Sequence, residues 1–430
     1  MNCNWPELTI DELKSSEKGS IAMGPFGSRI KAENFVKSGV PVLKGGNLHG
    51  AYIDDNECDY LTEEKADELK SSNAFEGDIV ITHRGTIGQV SIIPKGATYN
   101  RYVVSQSQLK VSLDKEKVNP YYVNYFLRSR IGQHRLLSYA SQVGVPAIAK
   151  ASTSVKQIQV PCPPLAVQDE IVSFLQSLDH KLTVNNQINQ SLEEMAQAIF
   201  KSWFVDFDPV KAKMNGAQPE GMDAATASLF PEKLVESEEG LIPEGWSVEP
   251  LKNVSRVING RAYKNTEFKD EGTPIIRIQN LTGKGKTVYS DMELPKDKLA
   301  EHGDLIFAWS ATFGPHLWRG PKSIYHYHIW KMDVDETKFG KYLLYLHLAR
   351  LTDYLKNQGT GSIFTHLTKA IMESQKLVVP SESIVEAFSK VVTPLFAQID
   401  SLHKENKVLE QLRDTLLPKL LSGEIELGRE

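Results

Sequence analysis

Cysteine is scarce in this chain of 430 residues: Cys3, Cys58 and Cys162 stand far apart and form no CxxC. That excludes a disulfide framework and a thiolate metal site, and it points to a reducing, cytoplasmic compartment. Long hydrophobic runs are missing too. No window approaches the roughly eighteen apolar residues that a membrane span requires, and the opening MNCNWPELTIDELKSSEKGS has no basic leader ahead of an apolar stretch. Neither secretion nor a membrane partner is expected. Also absent are a phosphate loop with Gly-Lys-Ser/Thr, a dinucleotide fingerprint, a paired-carboxylate nuclease motif, a Ser/His/Asp signature and a Cys nucleophile context. No catalytic site is legible.

What is present is the make-up of a folded chain, with 41% hydrophobic and 24% charged residues, and a length that suits roughly two or three domains. The net charge of -5 averages over segments of opposite sign. Residues 1–160 sum to +2, 161–250 to -10, 251–380 to +6 and 381–430 to -3. Within the first segment, residues 77–160 hold 11 basic and 3 acidic side chains, a local excess that a polyanion such as DNA would favour.

The same order of features is written twice. Val40-Pro41-Val42-Leu43-Lys44-Gly45-Gly46-Asn47-Leu48 aligns with Thr273-Pro274-Ile275-Ile276-Arg277-Ile278-Gln279-Asn280-Leu281. Gly77-Asp78-Ile79-Val80-Ile81 aligns with Gly303-Asp304-Leu305-Ile306-Phe307, Tyr122 and Tyr125 with Tyr342 and Tyr345, and Ile158-Gln159-Val160-Pro161 with Leu377-Val378-Val379-Pro380. The short β-branched runs punctuated by glycine read as strands of a mixed α/β (α+β) domain.

Each copy ends in a long helix. Ile171, Leu175, Leu178, Leu182, Asn185, Asn189, Leu192, Ala196, Ile199 and Trp203 follow a 4-3 spacing, as do Val385, Phe388, Val392, Leu395, Ile399, Leu402, Asn406, Leu409, Arg413, Leu416 and Leu420. That period is the seam of a coiled coil. At 1.5 Å per residue the first stripe spans about 60 Å, longer than a small domain is wide, so packing only on its own domain does not suffice. The expectation is an antiparallel pair about a pseudo-twofold axis, joined through Leu175, Leu178, Leu182, Asn189, Leu192, Ile399, Leu402, Asn406 and Leu409. Asn189 and Asn406 sit at equivalent seam positions, where a buried amide can fix register. Pro394 should kink the second helix or mark the start of its straight part. The expected organisation is a first globular domain over 1–160, a helix over 161–205, a connector over 206–240 ordered in pieces, a second globular domain over 241–380 and a helix over 381–430.

Three motifs have plain explanations. Asn119-Pro120-Tyr121-Tyr122 resembles the Asn-Pro-Pro-Tyr signature of amino-methyltransferases but lacks its second proline, and Asn then Pro is an ordinary helix start. Met23-Gly24-Pro25-Phe26-Gly27-Ser28 reads as a tight turn that could face a ligand. His326 and His328 share a strand face, but no third ligand stands near in sequence, so a metal is not expected.

Side chains suited to reading DNA cluster in both basic blocks: Lys44, Asn47, His83, Arg84, Arg101, Gln106 and Gln108 in the first, and Arg277, Gln279, Asn280, Trp309, His316, Trp318 and His328 in the second. Arg and Lys suit guanine edges, Asn and Gln suit adenine. The copies diverge at such positions, His83-Arg84-Gly85 becoming Trp309-Ser310-Ala311, as two readers of different sequences would.

The chain resembles the specificity subunit of type I restriction-modification systems over nearly its whole length. The resemblance is carried by Gly24-Pro25-Phe26-Gly27-Ser28 followed by Gly39-Val40-Pro41-Val42-Leu43, by the strand at 77–81, and most strongly by the run from Pro161 to Phe204 with its Leu192-Glu193-Glu194-Met195-Ala196-Gln197-Ala198-Ile199-Phe200. Leu416-Leu417-Pro418-Lys419-Leu420-Leu421-Ser422-Gly423-Glu424-Ile425 is similar to the family's C-terminal conserved region, although Ser381-Glu382 stands where the first copy has Pro163-Pro164. The resemblance implies two target-recognition domains in tandem and a non-catalytic subunit that binds a bipartite double-stranded DNA target, one half-site per domain, with the paired helices as a ruler. It also implies two modification subunits that use S-adenosylmethionine and restriction subunits that use ATP and Mg²⁺, with no cofactor in this chain. A DNA methyltransferase or nuclease acting alone is the enzyme alternative, and a tandem protein-binding scaffold is the other.

Overall fold

The computed structural model describes residues 5–141, 144–283, 285–357, 367–425 and 427. It forms two compact units, Met1–Val184 with Glu405–Glu430, and Asn185–Lys404.

In the first unit a four-stranded antiparallel sheet runs in the order Ile21–Met23, Gln108–Val111, Ile79–Thr82, Val90–Ile92. A five-stranded sheet lies in the order Phe35–Val36, Asp59–Leu61, Val40–Leu43, Tyr102–Val104, Asn73–Ala74, with Val40–Leu43 and Tyr102–Val104 parallel. The strand Ile79–Thr82 is buried along its length because both its faces are covered. Ile79 and Ile81 enter a core with Tyr122, Val123 and Phe126 of the helix Pro120–Arg128, while Val80 enters one with Leu43 and Val104. Asn119 caps that helix, its side chain accepting from the Tyr121 amide at 2.9 Å, with Pro120 in the first turn.

The second unit repeats the plan. One sheet runs Ser255–Asn259, Ile329–Val334, Leu305–Ala308, Gly314–Leu317. The other runs Val288–Ser290, Thr273–Ile276, Ser323–Tyr325, Leu299–Ala300, again with one parallel pair, Thr273–Ile276 beside Ser323–Tyr325. Leu305 and Phe307 face one core and Ile306 another, the same two-faced burial as in Ile79–Thr82. A two-stranded ribbon precedes each long helix: Glu7–Thr9 with Gln159–Pro161, and Ser247–Pro250 with Lys376–Val379.

The long helices are Leu165–Phe204 and Glu382–Ser422. The division between the units falls inside both, so each unit holds a half of each helix. In the first unit Leu175 shares a core with Leu416, Leu417, Leu420 and Leu421, and Lys181 pairs with Glu405 at 3.3 Å. In the second, Leu192 and Ala196 share a core with Val392, Phe396 and Ile399. Early residues of one helix meet late residues of the other, so the pair is antiparallel. Leu178, Asn189, Leu402 and Asn406 are buried, whereas Leu182 and Leu409 are half-buried.

One expectation needs correction. The buried stripe leaves a strict 4-3 phase, since Phe396 rather than Leu395, and Phe200 rather than Ile199, are the buried members. Near its ends each helix packs on a globular core and needs the wider apolar face of a 3.6-residue period. The second helix runs continuously through Pro394. The connector is more than loose chain. It carries the helices Asp208–Met214 and Ala224–Ser228 and the hairpin Leu234–Ser237 with Gly240–Pro243, and Phe207, Val210, Phe230, Ile242 and Trp246 enter the second unit's core. Among the described residues no helix is long and apolar enough to cross a membrane.

Candidate nucleic-acid interface

In the first unit several loops are stitched into one rim by backbone hydrogen bonds: Ser105 to the Leu43 carbonyl, Gly24 to Gln108, His83 to Ser107 and Gly85 to Pro146, each at 2.9 Å. Only glycine fits at position 24, because a Cβ there would lie 1.9 Å from the Ser105 carbonyl oxygen. Below the rim the side chains satisfy one another. The Gln89 amide donates to the Gly45 carbonyl at 3.0 Å, Thr82 Oγ1 donates to Gln89 Oε1 at 3.0 Å, and Gln108 Nε2 donates to Thr82 Oγ1 at 3.2 Å. Phe26, Arg84 and Gln106 stand exposed on the rim. Among the described residues no carboxylate engages the Arg84 guanidinium, which leaves a fixed cation free for a polyanion.

Other members of the first cluster make contacts within the scaffold. Asn47 is buried; its Nδ2 donates to the carbonyls of Asp54 at 2.8 Å and Glu57 at 3.1 Å, and its Oδ1 accepts from the Lys44 amide at 2.8 Å. Asn280 repeats the last bond, accepting from the Arg277 amide at 3.0 Å. The amide expected to read adenine is in both copies a turn cap. Gln108 is 1% exposed and belongs to the network below the rim. His83 is buried with Nε2 at 3.2 Å from the Gln106 carbonyl, and burial pushes its pKa down from 6.5. Arg101 is held by Asp67 at 2.6 Å and by Glu63, and Lys44 pairs with Asp59 while lying over the Phe35 ring. Lys44 remains half-exposed on a polar cleft of about 890 Å³ that it lines with His49, Asp54 and Tyr60.

The second unit builds its rim from aromatic rings and cations. Gly260 approaches the His326 carbonyl as Gly24 approaches Ser105; a Cβ would lie 2.2 Å away. The Arg261 guanidinium lies 5.1 Å from the Tyr263 ring centre, and Arg277 lies 5.7 Å from that of Phe268. Tyr263 stacks on His326 at 6.3 Å, and the rings of His326 and His328 are 4.9 Å apart. Trp309 packs edge-on against His328 at 5.2 Å and donates its Nε1 to the Tyr327 carbonyl at 2.9 Å. Arg277 Nη2 donates to the Lys286 carbonyl at 2.5 Å, and the exposed Gln279, with its amide oxygen turned inward, accepts from that guanidinium at 2.6 Å. Burial lowers the pKa of His316, His326 and His328. Trp318 donates its Nε1 to the Pro321 carbonyl at 2.8 Å, and its ring packs on the core of Ile276, Ile306 and Tyr325. His316 is half-buried, its Nε2 without a hydrogen-bond partner among the described residues. Among those residues no group of three or more His, Cys, Asp or Glu could hold a metal ion.

Sequence reasoning missed Arg261 and Tyr263, and it singled out Phe26 only as part of a tight turn that could face a ligand. The signal available was the glycine that ends the first sheet strand of each copy, Gly24 and Gly260, followed by aromatic or basic residues. The repeat alignment began downstream of it, where the two loops already differ in length.

Residues 21–194 and again 243–411 match the family described as the Type I restriction modification DNA specificity domain. The chain is 30% identical over 328 residues to the Type I restriction enzyme HindI specificity subunit of Haemophilus influenzae, covering 63% of this chain and 70% of that one. It is 26% identical over 435 residues to the Type I restriction enzyme MjaIX specificity subunit of Methanocaldococcus jannaschii, covering 97% and 94%. Its fold is similar to the crystal structure of the type I restriction-modification S subunit from M. genitalium, with a TM-score of 0.55 at 18% identity, covering 99% and 97%.

Proposed function

The chain belongs to the type I restriction modification DNA specificity family, and from that premise we propose that its two units read the two halves of a bipartite double-stranded DNA target. It is a specificity subunit, the non-catalytic DNA-recognising component of a restriction-modification complex. The observation that carries the reading is the repetition of one scaffold with unlike rims. Both copies keep the close-approach glycine (Gly24, Gly260) and the capping amide (Asn47, Asn280), while the rim changes from the exposed Phe26, Arg84 and Gln106 to the exposed Gln279 and the half-buried Arg261, Tyr263 and His328. A constant frame with variable cationic and aromatic ends suits direct readout in a major groove, with surplus Lys and Arg on phosphates.

The long helices set the spacing between half-sites and offer docking surfaces for partners. Their acidic stretches repel the phosphate backbone and suit protein contacts better. The partners are methyltransferase and restriction subunits. In the finer form of this proposal two modification subunits dock and use S-adenosylmethionine, restriction subunits use ATP and Mg²⁺, this chain holds no cofactor, and the complex works in the cytoplasm. The organisation that goes with it is recognition over 1–160 and 241–380, joined by the helices.

The test is selection from randomised duplex DNA by the full chain assembled with its modification subunits. Two short conserved blocks separated by unread base pairs support the reading; one continuous block, or no enrichment, refutes it.

A further inference from the structure

Arg261 is anchored in a way its surroundings do not use. Its Nη2 donates to Glu267 Oε1 at 2.7 Å, and Glu267 is itself fixed, its other oxygen accepting from the Lys264 amide at 2.7 Å. The Tyr263 ring lies against the guanidinium and sets its plane. Yet Arg261 Nη1 and the Tyr263 hydroxyl, both shielded from water, have no hydrogen-bond partner among the described residues, and neither has Arg277 Nε. A donor without an acceptor is unfavourable, and the Arg261 side chain, 38% exposed, is open to an acceptor that the chain itself does not supply. The missing partner must offer acceptors, since a guanidinium has none. Position matters as well: Arg261 directly follows Gly260, which lets the backbone pass 2.2 Å, measured from a would-be Cβ, from the His326 carbonyl. The first unit has Pro25 and Phe26 after the equivalent Gly24, and its loop to the capping Lys31 is longer than the loop from Gly260 to Lys264.

We propose that Arg261 is a specificity-determining residue of the second unit, positioned by Glu267 and Tyr263 to donate to the acceptor pair, O6 and N7, that guanine presents in the major groove. The first unit, with no arginine after its glycine, makes no such contact there. This rests on the reading of the chain as a DNA specificity subunit. Guanine is the base whose major-groove edge offers two acceptors side by side, the complement of an arginine fork. Glu267 takes one N–H of Nη2 and leaves its other N–H, together with Nη1, for the two acceptors, and holding the guanidinium reduces the entropy that a free arginine would lose on binding.

The experiment is selection from randomised duplex DNA by the full chain with its modification subunits, run in parallel for wild type, Arg261→Ala, Arg261→Lys, Glu267→Gln and, as a control, Arg256→Ala. Arg256 is a surface residue paired with Asp333. Expected is the loss, in Arg261→Ala and Arg261→Lys, of a guanine preference of roughly 10- to 100-fold at one base pair of one half-site. The other positions and the salt dependence should stay unchanged, Glu267→Gln should fall between, and Arg256→Ala should match wild type. The remaining positions of the half-site read by the second unit report in the same molecule that the variants are folded. A uniform drop across all sequences with a shallower salt slope would make Arg261 a phosphate contact and overturn the inference, as would an unaltered preference. Should wild type itself enrich no sequence, the DNA-specificity reading fails instead.

Discussion

Asp179 of the first long helix and Arg413 of the second meet at 3.3 Å, and the same carboxylate accepts from the Tyr125 hydroxyl at 2.6 Å. One buried acid thus ties both helices to the recognition fold of the first unit. Removing it leaves the Arg413 guanidinium with only its chain neighbour Asp414, at 3.1 Å, and the Tyr125 hydroxyl with only the Tyr52 hydroxyl, at 3.3 Å. Asp179→Ala is expected to destabilise that unit by about 2–4 kcal/mol, near the range for breaking a buried pair. Arg413→Ala should cost less, since Asp179 keeps Tyr125. Urea unfolding of the full chain, followed for each unit separately, checks the order; equal, small losses would show that the pair is a solvated surface contact.

Arg84 and Arg101 separate a free cation from a neutralised one. Arg84 is exposed on the first rim without a carboxylate partner among the described residues, whereas Arg101 is held by Glu63 and Asp67. Arg84→Ala is expected to cost about 1–3 kcal/mol of binding and to relax one position of one half-site. Arg101→Ala should leave the recognised sequence intact and reduce stability by about 1 kcal/mol or less, as for exposed ion pairs. Binding to single-base variants of the target, with thermal melts, distinguishes the two.

His83 makes the first unit acid-sensitive. Burial holds its folded-state pKa below the ordinary 6.5, so on acidification the unfolded chain takes up the proton first. Its contribution to stability is therefore complete above pH 6.5 and is lost as pH falls from there toward the depressed value. Urea midpoints between about pH 8 and about pH 5 should show a smaller decline in His83→Gln than in wild type. A parallel decline in both would assign the effect to other groups.

Much of the fold was legible because it rests on period and repetition. The β-branched run at 79–81, the helix start at Asn119-Pro120 and the long apolar stripes each have one physical reading, and each appears twice or with a cap. The phase of the stripes was less legible: whether Leu395 or Phe396 is buried depends on the globular core beside the helix end, which no local pattern encodes. The candidate rim was the hardest to read. Asn47, His83 and Gln108 have the chemistry of base readers, but a polar side chain can satisfy a turn or a buried network equally well, and only the tertiary arrangement decides. Arg261 and Tyr263 were overlooked for the opposite reason. Their partners Glu267 and Phe268 come from the short helical turn that follows, and His326 is brought beside them by a parallel bridge to Arg261; nothing in their spacing announces it.

The central claim is that the paired helices fix the distance between two independent readers. Inserting one heptad into each helix at the division between the units, after Val184 and after Lys404, lengthens the pair by about 10 Å at 1.5 Å per residue. That is about three base pairs of 3.4 Å rise. Selection from randomised DNA by this variant with its modification subunits should return both half-sites unchanged and an unread gap longer by about three base pairs. The same gap as wild type, or an altered half-site, would contradict the account.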